Sequence, residues 1–293
     1  MSSSDGYFID VDESGLGNCL VLAGAWRDEF ARVAVDADIK VLRLSSGAGW
    51  KEQDISFVRA LHFLEGVEVY SFDVTDVSPV FELPQLRYVG LQCNFKAPTN
   101  FHALKNLEIC KILWSAKAED LWTCTKLQHL NIVNYPGVDL VQMASFNQLR
   151  RLQISGKKLT TLDGIERMPH LRKFDAANCP KLSELDGLEQ CKLLESIEID
   201  GCRRIGKLPD RLDETRLETL LLTDCGKIES LAPLAAVDSL RTLKFVGDTT
   251  VLDGALNFLE NLPSLEKVWY ASRRNYSITR EELSDRLAAK RRA

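Results

Sequence analysis

Eight cysteines and four histidines are the residues of this 293-residue chain with the chemistry to hold a metal or to attack a substrate. Three of the cysteines, Cys179, Cys202 and Cys225, stand 23 residues apart. Structural zinc sites draw four ligands into a tetrahedron, usually from close pairs such as CxxC, and the chain has no such pair. Sulfurs at one equivalent position of a repeat stack in a row, roughly 5 Å apart, and do not surround an ion. Cys124 and Cys191 each lie three residues before a repeated leucine, an inward position that favours burial over reactivity. His62, His102, His129 and His170 fall in no GxSxG, HExxH or phosphate-loop phrase. The residues therefore predict no catalytic site, no cofactor and no metal, and leave His129 as a surface contact residue.

The elements that position these side chains follow from a phrase that returns eleven times. Written with h for an apolar residue, it is h-x-x-h-x-h, as in Leu149–Leu152–Ile154, Leu194–Ile197–Ile199 and Leu217–Leu220–Leu222. Its first residues are Ile39, Leu64, Leu86, Leu107, Leu127, Leu149, Leu171, Leu194, Leu217, Leu240 and Leu265, at intervals between 20 and 25 residues. Alternation within the phrase predicts a strand with one face buried. Repeats running in one direction must pair in parallel, so each return crosses over outside the sheet. The returns are long enough for a turn and a short helix or 3-10 segment. They carry their own apolar marks at Ile165, Leu188 and Leu234 and at Leu162, Leu185 and Leu231. Three returns end in an apolar-Pro-x-Leu step at Pro84, Pro169 and Pro263, where proline stops the turn before the strand.

This grammar resembles the leucine-rich repeat family over roughly residues 36–273. Segment 227–245 is similar to the short 22-residue-type repeats of bacterial internalins and of phosphatase-regulating leucine-rich subunits. The resemblance implies an α/β solenoid of about eleven repeats, with a parallel β-sheet on the concave side and short helical or 3-10 segments on the convex side. It also implies that Cys179, Cys202 and Cys225 form a structural ladder bonding to backbone groups, with Asn94 in the same place in an earlier rung. The repeats at Leu64 and Leu107 lack the Asn, and Cys110 replaces a leucine, so local distortion or a widened convex side is expected there. Residues 1–38 are expected to form a cap: a β-hairpin from residues 7–11 and 19–22 around a turn at 15–17, then a short helix through Trp26, Phe30, Val33 and Ala34. Residues 39–273 form the solenoid, and 274–293 a final capping helix. That helix opens on a capping box at Thr279 and Glu282 and continues through Leu283 and Leu287.

The third, fifth and seventh residues of each phrase face outward and form the expected binding surface. Tyr70, Tyr88, Ile109, Leu113 and Val133 make an aromatic and aliphatic zone that the repeat does not require to be apolar. Trp114 is placed at its rim. Asp175, Glu198 and Asp200 lie on adjacent rungs and concentrate negative charge. Anchors of this kind beside charged groups mark interfaces. The candidate partner-binding residues are Tyr70, Tyr88, Lys111, Leu113, Trp114, His129, Arg151, Asp175, Glu198, Asp200, Asp224 and Trp269. No convergent polar triad is expected on this face.

A net charge of −5 and a pI near 5.6 argue against a nucleic-acid binder. No export signal and no membrane-length apolar run is evident, which predicts a cytoplasmic location, reduced thiols and an idle Asn275-Tyr276-Ser277 sequon. Arg273, Arg274, Lys290, Arg291 and Arg292 read as a solubilising end, with cations suited to a helix C-terminus. The expected function is non-enzymatic protein binding through the concave face, by a monomer or by a heterodimer with its partner. An immunity protein or inhibitor that neutralises a basic toxin or enzyme fits the acidic patch and the mild acidic balance. An adaptor or regulatory subunit, such as a substrate receptor or phosphatase regulator, is the alternative.

Overall fold

A computed structural model describes residues 6–290; Arg291 and Arg292 of the basic end lie outside the described residues. The chain divides into two compact units, Met1–Ile132 and Val133–Ala293. Among the described residues, no helix is long and apolar enough to cross a membrane.

In the first unit, β1 (Tyr7–Val11) and β2 (Asn18–Leu22) form an antiparallel hairpin. Its turn closes through the Asp12 N–H on the Gly17 carbonyl at 2.9 Å. Gly15 and Gly17 sit there at φ of 83° and 124°, a region glycine enters without steric cost. Helix α1 (Glu29–Asp36) buries Phe30 and Ala34. Trp26 precedes the helix and stacks on Phe57 with 4.4 Å between ring centroids. Parallel strands β3 (Ile39–Ser45), β4 (Gly66–Tyr70), β5 (Tyr88–Leu91) and β6 (Ile109–Leu113) follow from β2 in order. A single turn of helix, α2 (Ser78–Phe81), lies on the return before β5. The repeats at Leu64 and Leu107 are not distorted in their strands. Cys110 is fully buried in the place of a leucine and pairs in register with Val89. A thiol behaves as a small apolar group, so the substitution leaves the ladder intact. Strand β7 (His129–Val133) crosses the boundary in the sequence.

The second unit continues with β8 (Arg151–Ile154), β9 (Lys173–Ala177), β10 (Ser196–Asp200) and β11 (Thr219–Thr223). After β11 come β12 (Lys227–Ile228), β13 (Thr242–Val246), β14 (Thr250–Val251) and β15 (Lys267–Tyr270). β8, β9, β10, β11, β13 and β15 pair in parallel, and β12 with β14 makes a separate two-stranded piece. Inward residues form two continuous buried rows, Leu152–Phe174–Ile197–Leu220–Leu243–Val268 and Ile154–Ala176–Ile199–Leu222–Phe245–Tyr270. Each such leucine contributes about 1.5–3 kcal/mol by leaving water. The returns are 3-10 segments at Ile165–Arg167, Leu188–Gln190 and Ala232–Leu234, which bury Ile165, Leu188 and Leu234 beneath the strands. The segment Ile165–Arg167 ends two residues before Pro169, and Asn257–Asn261 two before Pro263.

The chain leaves several strands through a left-handed residue. Asn134, Asn178 and Asp224 have φ of 62°, 53° and 50°, and Gly201 and Gly247 take the equivalent place at 66° and 67°. Only glycine and short amide or carboxylate side chains enter that region readily. The ladder cysteines come next. The Sγ of Cys179, Cys202 and Cys225 lie 3.6, 3.5 and 3.3 Å from the carbonyls of Ala177, Asp200 and Thr223 two residues back. The same sulfurs reach the Ile154, Ala176 and Ile199 carbonyls of the preceding rung at 3.9, 3.7 and 3.5 Å. Asn94 does not share this role. It is exposed, and its neighbours Cys93 and Phe95 are the buried residues there.

Helix α3 (Arg280–Lys290) begins on a reciprocal capping box. The Glu282 N–H donates to Thr279 Oγ1 at 3.2 Å, and the Thr279 N–H to Glu282 Oε2 at 3.0 Å. Leu283 and Leu287 are buried on its inner face.

Candidate binding face

In the second unit, strand register lines the outward residues into rows. One row is Arg151, Lys173, Ser196, Thr219, Thr242 and Lys267. The next is Gln153, Asp175, Glu198, Leu221, Lys244 and Trp269. A third holds Ala177, Asp200, Thr223 and Val246. All are half-buried or exposed. The charge runs in bands: basic at Arg151 and Lys173, acidic at Asp175, Glu198 and Asp200, basic again at Lys244 and Lys267. The acidic patch is smaller than the sequence suggested, because Arg151 Nη2 lies 3.0 Å from Asp175 Oδ2. Glu198 and Asp200 are exposed and make no salt bridge among the described residues. Trp269 is 44% exposed beside Lys244. Asp224 is a turn residue: its Oδ1 accepts the Asp248 N–H at 2.9 Å while its backbone is left-handed.

The first unit presents a different surface. Tyr88 lies on the outward row yet has no exposed area, and Ile109 is 8% exposed. They pack with Cys19, Val21 and Val41, and Leu16 from the hairpin turn lies against the group. Tyr88 is therefore not available to a partner, and the apolar zone expected around it is part of a core. Two glycines make this packing possible. Gly66 is paired with Tyr88, and a Cβ on it would lie 3.1 Å from the Tyr88 ring. A Cβ on Gly90 would lie 2.7 Å from the Tyr70 hydroxyl. Each tyrosine thus lies across a glycine of the neighbouring rung, and the two hydroxyls meet at 3.2 Å.

Between them sits Glu68, fully buried on the outward row. Its carboxylate accepts the Tyr70 hydroxyl at 2.7 Å, the Tyr88 hydroxyl and the Arg43 Nε–H. Lys111 Nζ stands 3.7 Å away and 5.2 Å from the centre of the Tyr88 ring. Arg43 also faces Asp10 and the buried Asp12, both at 3.8 Å. Burial holds the Asp12 carboxyl above its ordinary pKa, against the opposing pull of the Ser14 N–H, Lys111 and Arg43. Burial also pushes the Tyr70 and Tyr88 hydroxyls far up, with the Glu68 charge adding to it, so both stay protonated donors. Burial raises the nearby Cys19 thiol to about 12. A convergent polar cluster thus exists on this face, contrary to expectation, and Asp12, Arg43 and Glu68 belong to it. Its carboxylate is sealed by its own donors, so what the arrangement does chemically is to lock the cap and the first rungs together.

The remaining sequence candidates of this unit are partly engaged. Leu113 is half-buried, and Trp114 stacks on Trp122 at 4.7 Å between centroids. His129 is exposed and lines a cleft of about 370 Å³ with Ser14, Leu16, Arg87 and Glu108.

Gly90→Val is expected to displace the Tyr70 ring from Glu68 and to lower stability by about 1–3 kcal/mol, as overpacking does. Gly206→Ala is the control, since a Cβ there meets nothing within 4 Å. Thermal denaturation of the two variants checks this; equal melting temperatures would contradict the packing described.

The solved structures similar to this chain include three from bacteria. An internalin, InlF of Listeria monocytogenes, matches with a TM-score of 0.60 at 15% identity, over 83% of this chain and 77% of its own. The functional domain of InlJ of Listeria monocytogenes, which includes a cysteine ladder, matches at 0.56 and 18%, over 85% of this chain and 57% of its own. The chain therefore spans less than two thirds of that domain. A leucine-rich repeat protein of Leptospira interrogans matches at 0.56 and 15%, over 85% and 72%. No protein-family profile and no curated protein matches the chain. At these identities the likeness establishes the fold. The chain is a leucine-rich repeat solenoid, with a parallel β-sheet on one side and short helical or 3-10 segments on the other.

Proposed function

We propose that this chain is a non-enzymatic binding module that grips a protein partner on the concave face of its second unit. The observation that carries the proposal is the banded outward surface of β9, β10, β11, β13 and β15. Its acidic pair Glu198 and Asp200 and the exposed Trp269 are required by no feature of the repeat. A rigid sheet pre-organises such side chains without ordering a loop, which lowers the entropy lost on binding. The partner's complementary surface carries Lys or Arg side chains opposite Glu198 and Asp200, and apolar groups opposite Leu221 and Trp269.

In this reading the chain acts by occupying its partner, as an immunity protein or inhibitor occupies a toxin or enzyme. In this reading it meets its target in the cytoplasm. Affinity capture with the protein encoded beside it, followed by a growth assay of cells expressing that neighbour, tests the proposal. Complex formation together with protection of growth supports inhibition. Complex formation without protection supports binding but removes the inhibitor role, and no complex removes that neighbour as the partner.

A further inference from the structure

The first unit carries a second outward-facing element, the free edge of β1. No strand among the described residues pairs with its outer side. Phe8, Ile9 and Val11 are 37%, 45% and 72% exposed. Exposed edges in soluble proteins are usually guarded by shortness, by charged side chains, lysine above all, by proline or by a bulge, and of these β1 has its five-residue length and the single charge of Asp10. The sequence Tyr-Phe-Ile-Asp-Val has no lysine or proline, and its pairing with β2 is regular from Tyr7↔Leu22 to Val11↔Asn18.

The hydrogen-bond phase of the hairpin fixes which backbone groups point outward. The Ala23 N–H donates to the Gly6 carbonyl and the Asp12 N–H to the Gly17 carbonyl, both at 2.9 Å. Antiparallel pairs alternate, so the residues in phase with Gly6 and Asp12 bond inward, while Ile9 and Val11 direct their N–H and C=O groups away from β2. The Val11 N–H is met by the carboxylate of its own neighbour, Asp10, at 2.8 Å, a local bond that an incoming strand would exchange.

We propose that β1 is a self-association edge, whose partner is β1 of a second copy of this chain in a two-fold antiparallel pair centred on Ile9. The strand is self-complementary in that register. Ile9 meets Ile9 through its outward backbone groups, and the two isoleucine side chains lie on one face of the extended sheet. Phe8 falls opposite Asp10, so the strand's one carboxylate meets an aromatic ring rather than its own copy. Moving the centre to Asp10 would set two carboxylates side by side, moving it to Phe8 would leave Val11 without a partner inside the strand, and shifting it by half a residue would turn inward-bonded groups toward the partner. A two-fold contact of this kind closes on itself and stops at the dimer.

Sedimentation of the full chain across a concentration series tests this. The expected mass rises from 33.0 kDa toward twice that value as concentration increases. Ile9→Lys and, separately, Val11→Lys place a charge at the paired edge and hold the mass at one chain. Both side chains are exposed, so melting temperatures should match the parent, and two positions guard against a misfolded variant. A parent that stays at 33.0 kDa throughout, or variants that associate as the parent does, would overturn the proposal.

Discussion

Glu68→Ala is expected to destabilise the first unit by about 3–5 kcal/mol, the range for breaking one side of a buried ion pair. The carboxylate is fully buried and is the common acceptor for Arg43, Tyr70 and Tyr88, with Lys111 close by. Its loss takes the shared acceptor from the Tyr70 and Tyr88 hydroxyls, which keep each other at 3.2 Å, and leaves the largely enclosed Arg43 guanidinium with Asp10 and Asp12 at 3.8 Å. The disturbance reaches the hairpin, because Arg43 is also the cation that faces Asp10 and Asp12. Glu68→Gln keeps an acceptor oxygen for the hydroxyls but loses the charge and the second acceptor oxygen, which faces Arg43, so a loss smaller than that of the alanine variant is expected. Urea denaturation of both variants measures the difference. An alanine variant within about 0.5 kcal/mol of the parent, the scale of an ordinary surface change, would show that the cluster does not hold the cap in place.

The second large effect concerns binding. Glu198→Lys combined with Asp200→Lys is expected to weaken the partner complex by at least about 100-fold, or about 2.8 kcal/mol. The two carboxylates are exposed and make no salt bridge among the described residues, so reversing them leaves the fold unstrained. In the proposed complex they face cations, and reversal replaces attraction with like-charge repulsion near a dehydrated surface. Trp269→Ala is expected to act through a different route, by emptying an aromatic anchor. Calorimetric titration with the captured partner separates these effects from unfolding, since melting temperatures of the variants should stay at the parent value. Unchanged affinity in the charge-reversed double variant would place the contact elsewhere.

The parts of this structure that were legible in the sequence are those set by period. The phrase located the parallel strands, and the place of Cys179, Cys202 and Cys225 within it explained a ladder instead of a metal site. The alternation of exposed residues also placed Glu198 and Asp200 on the outward rows. What the phrase did not show is whatever depends on contacts beyond a single rung. Tyr88 occupies an outward position, but the hairpin turn and Gly66 turn that position into core. A signal was present in the glycines at outward positions, Gly66 and Gly90, which mark places where a side chain from the next rung must lie flat. Glu68 was visible as an outward residue, but its burial depends on Arg43 and Asp12, which lie in different elements. Asp224 carried another signal. It shares its repeat position with Asn134, Asn178, Gly201 and Gly247, a set that only a left-handed backbone explains.

The proposed function requires a protein partner on the concave rows of the second unit. The most direct measurement is site-specific photo-crosslinking in the complex, with a photoreactive phenylalanine analogue in place of Leu221 on the strand face or of Gln190 on the convex return. The account predicts an adduct with the partner from position 221 and none from position 190. Adducts from position 190 with none from 221 would contradict it.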